Sequence, residues 1–235
     1  MYKGQKICAV IPAKDEAEAI GGVIDTLKSA AIVDRVIVCD NGSSDATAAI
    51  ARELGAETVT ESRTGYGAAC LRALSQIEHC DIVVFVDADA SLQLEEMPAL
   101  LDPIVGGADL AVGVRVPAWR ERGSMAFAQR IGNRAVSGLI GLIWRQPVTD
   151  LGPFRAIRFE RLRQLQLRDR RFGWNVEMQI RAIQHRLVCA EVPVHYRRRV
   201  GRSKISGSLS GVALAAWDML GTVLRLALEP DPLAR

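Results

Sequence analysis

Apolar residues in the first half of the chain come in short unbroken runs: Ile7-Cys8-Ala9-Val10-Ile11, Val36-Ile37-Val38-Cys39 and Ile82-Val83-Val84-Phe85-Val86. Four or five consecutive apolar positions, without polar alternation, are the pattern of strands buried on both faces. Each run stops at a polar cluster: Pro12-Ala13-Lys14-Asp15-Glu16, Asp40-Asn41-Gly42-Ser43-Ser44-Asp45 and Asp87-Ala88-Asp89. Between them the spacing changes to helical, with Ile20, Val23, Ile24 and Leu27 on one face. The same reading predicts helices over 46–54, from 67 to near 77, and over 94–105, with strands at 57–60 and 110–114. Strands alternating with helices predict an α/β fold around a doubly wound, mostly parallel sheet. In such sheets ligands bind beyond the carboxyl ends of the strands, where the polar clusters fall.

The second half is less regular. Helices are expected over 126–143 and 176–187, the latter with Val176, Ile180, Ile183 and Leu187 on one face, and strands over 154–157 and 188–196. No linker or low-complexity stretch separates the halves, so residues 1–208 read as one domain of two lobes, 1–114 and 115–208. An apolar helix in 209–235 follows.

With 235 residues, 49% hydrophobic and 24% charged, the chain can bury a sizeable core and is not disordered by composition. No signal peptide precedes the first strand and the five cysteines form no CxxC pair, which predicts a cytoplasmic protein with reduced thiols. The net charge of +3 conceals an asymmetry. Residues 1–114 carry 8 Lys and Arg against 18 Asp and Glu, whereas residues 115–235 carry 22 against 9, and 21 of those 22 cations are Arg. An acidic lobe facing a basic one suits a metal on one side and anionic groups on the other; solvated helix faces would give the same counts.

Two carboxylates two residues apart at a strand end, Asp87 and Asp89, can point into one cleft and bind a hard divalent cation that neutralises a diphosphate. Asp40, also at a strand end, can read the hydrogen-bonding edge of a nucleobase, whereas Asp45 reads as a turn and cap residue. Gly65-Tyr66-Gly67 lacks the third glycine of a dinucleotide fingerprint, and His79, His185 and His195 have no metal-ligand spacing.

The set Ile11-Pro12-Ala13-Lys14-Asp15-Glu16, Asp40-Asn41-Gly42-Ser43-Ser44-Asp45-Ala46-Thr47, Gly65-Tyr66-Gly67 and Asp87-Ala88-Asp89 resembles family-2 glycosyltransferases of GT-A fold. Three later segments resemble the polyprenyl-phosphate (dolichyl-phosphate) sugar synthase branch: Thr149-Asp150-Leu151-Gly152-Pro153-Phe154-Arg155, Gly173-Trp174-Asn175-Val176-Glu177-Met178 and Arg198-Arg199-Val200-Gly201-Arg202-Ser203-Lys204. The resemblance implies an inverting, metal-dependent hexosyltransferase in which 1–114 binds a UDP- or GDP-sugar and 115–208 the acceptor. It implies that Pro12, Ala13, Glu16 and Asp40 hold base and ribose. Asp87 would contact the nucleotide, and Asp89 would coordinate Mg²⁺ or Mn²⁺. Asp150 would lie near the acceptor, as general base if that is a hydroxyl and as a positioning group if it is a phosphate. Arg155, Arg199, Arg202, Ser203 and Lys204 would grip phosphates, and Trp174 and Glu177, one helical turn apart, would line the acceptor site or serve as packing and a solvated carboxylate. Two departures stand out: Ser91 occupies a position where the branch commonly has a metal-binding Gln, and Lys14-Asp15-Glu16 replaces the commoner Asn-Glu ending.

Residues 195–204 hold five cations and no acid, as expected of a phosphate grip. Nucleic acid is not expected there, because only Tyr196 interleaves with the cations and the acidic lobe would repel a long polyanion. A nucleotidyltransferase and a non-catalytic membrane-peripheral module are the competing readings, as is transfer to a soluble or hydroxyl acceptor. The stretch 209–228 has Asp218 near its centre and Arg225 near its end, which makes membrane insertion costly. It reads as a helix lying on the inner face of the plasma membrane through Val212, Ala216, Met219, Val223 and Leu226, with Trp217 as anchor. Docking on its own domain or on a twin subunit is the alternative.

Overall fold

The computed structural model describes residues 1–201 and 209–230. Its strands are β1 Ile7–Ala13, β2 Arg35–Asp40, β3 Glu57–Thr60, β4 Ile82–Phe85, β5 Leu110–Val114, β6 Arg155–Arg158 and β7 Cys189–Pro193. Its helices are α1 Ala17–Ser29, α2 Thr47–Glu53, α3 Tyr66–Leu74, α4 Met97–Val105, α5 Phe127–Trp144, α6 Phe159–Leu165, α7 Trp174–Gln184 and α8 Leu209–Leu228. The strands form one sheet in the order β3-β2-β1-β4-β6-β5-β7. β6 alone runs against its neighbours β4 and β5; the other pairings are parallel. The arrangement is the expected doubly wound, mostly parallel sheet.

The continuous apolar runs are buried on both faces because helices cover both. Ile7, Ala9 and Ile11 pack with Ile20, Ile24, Leu100 and Ile104 of α1 and α4. Cys8 and Val10, on the opposite face, pack with Cys70, Ala73, Trp174 and Met178 of α3 and α7. A third cluster joins α5, α7 and α8 through Val136, Ile140, Val176, Ile180, Val223 and Leu226.

Differences from expectation are local. Residues 94–96 form a 3₁₀ turn, and α4 begins at Met97, with Pro98 in its first turn where no intrahelical N–H is needed. The 188–196 stretch pairs as a strand only to Pro193; beyond it, Tyr196 bridges to Leu92 and Arg120. The short helix α6 was not expected, although Phe159, Leu162 and Leu165 fall at helical spacing. The stripe expected to face the membrane, Val223 and Leu226 within it, instead docks on the domain, which is the alternative reading for α8. Val223 is 0% and Leu226 1% exposed against the domain, whereas Trp217 is 78% and Leu228 88% exposed.

Candidate active site

The loops after β1, β2 and β4 meet at one cavity of about 570 Å³. Asp15, at φ 48°, accepts from the Ser44 N–H at 2.6 Å and Oγ–H at 3.0 Å, and its own N–H donates to Ser43 Oγ at 2.9 Å. The Glu16 N–H donates to Thr47 Oγ1 at 2.8 Å, and Asp45 accepts from the Ala17 and Thr47 N–H groups. Asp45 thus ties two loops together, in keeping with its turn reading. Pro12, Ala13 and Glu16 line the cavity. Asp40 is buried, accepts from the Ser43 N–H at 3.3 Å and is not part of the lining; its neighbour Asn41 is. Asn41 is held by donating to Glu61 O and Arg63 O and accepting from the Gly65 N–H.

Asp87 and Asp89 both line the cavity. Burial, and then the neighbouring Asp89 charge, push the Asp87 carboxyl up to about 7, opposed by a 3.1 Å hydrogen bond from the Tyr66 hydroxyl. Asp89 Oδ1 accepts from the Ser91 N–H at 3.0 Å and Oγ–H at 2.6 Å. Ser91 is fully buried, so the residue standing in place of the branch's Gln supports Asp89 instead of facing the cavity.

The basic segment departs from the expected set of unpaired cations. Arg199 contacts Glu16 at 2.6 Å and Asp89 at 3.5 Å, the Arg198 Nε lies 3.5 Å from Glu121, and Arg197 donates to Gln93. The acids come from distant parts of the chain. Arg202, Ser203 and Lys204 lie outside the described residues.

Asp150 is 4% exposed and bound on both oxygens by Arg115: Nε to Oδ2 and Nη2 to Oδ1, each at 2.7 Å, with the Arg115 N–H adding 2.9 Å to Oδ2. Burial alone would raise the Asp150 carboxyl; the hydrogen bonds and charge of Arg115 outweigh it and hold it below the ordinary range. A carboxylate so held is a poor proton acceptor and a good orienting group. Its partner Arg115 lines the cavity with its guanidinium 5.2 Å from the Tyr196 ring.

Three other expected residues sit behind the surface. Arg155 is fully buried, donates from Nε to Gly152 O at 2.8 Å, and does not line the cavity. Burial pushes its guanidinium down to about 10, and Nη1 and Nη2 have no partner. Trp174 is buried edge-on to Phe85, with ring centres 5.9 Å apart. Glu177 is 0% exposed, so it is not a solvated carboxylate; it accepts from the Arg168 and Asp169 N–H groups and pairs with Arg225 of α8. Its part is to hold the 168–169 loop and α8 on α7.

Sequence reasoning missed Arg115, Tyr66 and Asn41. Arg115 follows a strand end and Tyr66 opens a helix, but neither sits in a cluster of like chemistry. The helical wall was missed too: Ala135 and Val136 of α5 and Ala215, Ala216, Met219 and Leu220 of α8, small and apolar side chains, also line the cavity.

The comparisons with known proteins agree with this geometry. The model of Glycosyl transferase family 2 matches residues 8–171. An uncharacterized glycosyltransferase of Mycobacterium tuberculosis is 34% identical over 92% of this chain and 96% of its own. A dolichyl-phosphate hexose transferase of Haloferax volcanii is 30% identical over 97% and 96%. The crystal structure of glucosyl-3-phosphoglycerate synthase from M. tuberculosis, in complex with Mn²⁺, UDP and glucosyl-3-phosphoglycerate, superposes with a TM-score of 0.75 at 26% identity, over 97% of this chain and 82% of that one. By fold, by the order of its strand-end motifs and by sequence, the chain belongs to glycosyl transferase family 2.

Proposed function

We propose that this glycosyltransferase moves a hexose from a nucleotide-diphosphate sugar to the phosphate of a polyprenyl-phosphate acceptor, with inversion at the anomeric carbon. The observation that carries the reading is the cavity's two kinds of lining: carboxylates and arginines at the strand ends, and small and apolar side chains of α5 and α8, which would form a slot for the lipid. The Haloferax relative is named for a dolichyl-phosphate acceptor, in keeping with this. The mycobacterial structure holds glucosyl-3-phosphoglycerate, which supports a second reading, transfer to a soluble acceptor, at a hydroxyl where the acceptor offers one. Both acceptors carry a phosphate; the apolar lining from α5 and α8 favours the lipid. Family membership leaves the nucleotidyltransferase and non-catalytic readings without support.

The residues present fit a divalent cation. Asp87 and Asp89 concentrate like charge at one strand end, and among the described residues no third His, Cys, Asp or Glu completes a cluster. The remaining coordination would come from the donor diphosphate and water. Mg²⁺ or Mn²⁺ bound at Asp89 would supply charge neutralisation for the departing diphosphate. Pro12, Ala13 and Glu16 would surround the nucleoside, with Asp40 bracing the loop after β2 from behind; Arg115 would draw the acceptor phosphate to the anomeric carbon, and Arg199 would meet the phosphates of the donor. An acceptor phosphate oxygen then forms the new bond to that carbon as the bond to the diphosphate oxygen breaks, and the electron pair leaves with the nucleoside diphosphate. The attacking oxygen is already ionised, so no base is required, in keeping with Asp150 being committed to Arg115. Its task is to orient that arginine.

No helix among the described residues is long and apolar enough to cross a membrane. Trp217, Leu224 and Leu228 of α8 are exposed, as are Phe127 and Ile131 of α5, a helix that carries Arg130 and Arg134 and no acid. Such apolar and basic side chains suit the anionic inner leaflet of the plasma membrane. The deciding experiment is transfer from UDP- and GDP-hexoses, with Mn²⁺, to undecaprenyl phosphate and to 3-phosphoglycerate. Lipid-linked product is expected; product on phosphoglycerate alone overturns the lipid reading.

A further inference from the structure

Arg199 spans two strand ends. Its Nη2 lies 2.6 Å from Glu16 Oε1 and its Nη1 3.5 Å from Asp89 Oδ2. The other Asp89 oxygen is taken by Ser91, so the oxygen left to meet a cation is the one that meets Arg199. The base of this arm is anchored to the Asp89 loop itself. The Val200 N–H donates to Asp89 O and the Arg197 N–H to Ser91 O, both at 2.9 Å. The side chain is 28% exposed, and its Nε is buried without a partner, so charge holds the guanidinium more than a full set of hydrogen bonds does. Turning it away from Asp89 thus requires side-chain rotation only.

We propose that Arg199 is a place-holding cation: in the nucleotide-free protein it occupies Asp89 and keeps the divalent metal out, and it yields when a donor diphosphate arrives as a replacement anion. The inference rests on the reading of Asp89 as metal ligand. A guanidinium and a divalent ion repel strongly within a cleft unless an anion lies between them. The diphosphate supplies that anion, offering Arg199 a new partner and the metal additional oxygens in one event. Metal and nucleotide then bind as a unit, and linkage requires each to tighten the other by the same factor.

The test is Mn²⁺ binding to the full chain, followed by electron paramagnetic resonance and calorimetry, alone and with UDP or GDP. Wild type is expected to bind Mn²⁺ at least about tenfold more tightly with the matching nucleotide. Arg199→Gln is expected to bind Mn²⁺ alone about tenfold more tightly than wild type, with most of the coupling gone. Arg199→Lys, which keeps the charge, should stay near wild type. Asp89→Asn should bind none with or without nucleotide. If wild type takes up Mn²⁺ with nucleotide but Arg199→Gln gains nothing in its absence, the place-holding role is overturned and the metal reading stands. If wild type binds Mn²⁺ equally well with and without nucleotide, the role is overturned without recourse to a variant. Failure of wild type to bind Mn²⁺ under any of these conditions defeats the underlying reading instead.

Discussion

The two walls of the cavity are built by different means. The polar wall stands on the carboxyl ends of β1, β2 and β4, where strand pairing such as Val10 opposite Phe85 sets the backbone and loop-to-loop hydrogen bonds set the side chains. The opposite wall is made of α5 and α8, which meet through Val136, Ile140, Val223 and Leu226. α8 is pinned from behind by three polar links: Asp218 to Arg171 at 3.0 Å, Thr222 to Asp169 at 2.9 Å and Arg225 to Glu177 at 3.1 Å. A wall on strand ends holds charges to within fractions of an ångström, as phosphate and metal chemistry demands. A wall of packed helices with small side chains sets only width and polarity, so on the proposed function acceptor choice could vary there without disturbing the polar wall.

Breaking the polar wall should cost most. Asp89→Ala is expected to lower turnover by about a thousandfold or more while circular dichroism and melting temperature stay near wild type. Retained activity in the presence of a chelator would remove the metal from the mechanism.

Next comes the link that orients Arg115. Asp150→Asn leaves a buried guanidinium without its counter-charge and should destabilise the fold by about 3 kcal/mol at pH 7. The Asp150 carboxyl is held below its unfolded value, so its stabilisation is present above about pH 4 and is lost as pH falls through the lower folded value. Denaturant unfolding at pH 7 and pH 3 should therefore show a large difference between variant and wild type that shrinks in acid. A gap that widens in acid would refute the pairing.

The helical wall separates by face. Leu226→Ala should lose about 2–5 kcal/mol of stability, because a 1% exposed side chain leaves a cavity in the α5–α7–α8 cluster. Trp217→Ser with Leu224→Ser should change stability by under about 1 kcal/mol. The same pair should reduce flotation with anionic vesicles several-fold. Flotation equal to wild type would assign the outer face of α8 to another partner, a second subunit included.

The smallest effect is the most selective. Ala135→Leu, narrowing the slot, should raise the KM for a long-chain acceptor about tenfold and leave the slow hydrolysis of the donor unchanged. Equal losses in both assays would mean that the slot is not where the acceptor tail lies.

Most of the sheet and the polar strand ends were legible in the sequence. Continuous apolar runs ended by Pro12, Asp40 and Asp87 announce buried strands with polar ends, since burial on two faces and satisfaction of turn backbone are local demands. The same logic carried Asp45 to its turn role and Asp89 to the cavity. It failed where a residue's task depends on what the fold brings beside it. Trp174 and Glu177, one turn apart on α7, read as an acceptor-site pair or as packing and a solvated carboxylate; the first does pack in the core, but the second is buried and anchors a loop and α8.

What the sequence determined by itself was therefore periodicity, punctuation and order: seven buried or half-buried strands, the helices between them, and three acidic strand ends. What only the tertiary structure decided was partnership. Arg199 meets Glu16 across 183 positions, and Arg115 meets Asp150 across 35. No composition or spacing encodes such encounters, because a charge is screened and indifferent until packing excludes water and leaves it one counter-charge. The face of α8 follows the same reason. Periodicity found the stripe that packs, Met219, Val223 and Leu226, but could not say against what; the fold supplied the partner, with Asp218, Thr222 and Arg225 linked to Arg171, Asp169 and Glu177.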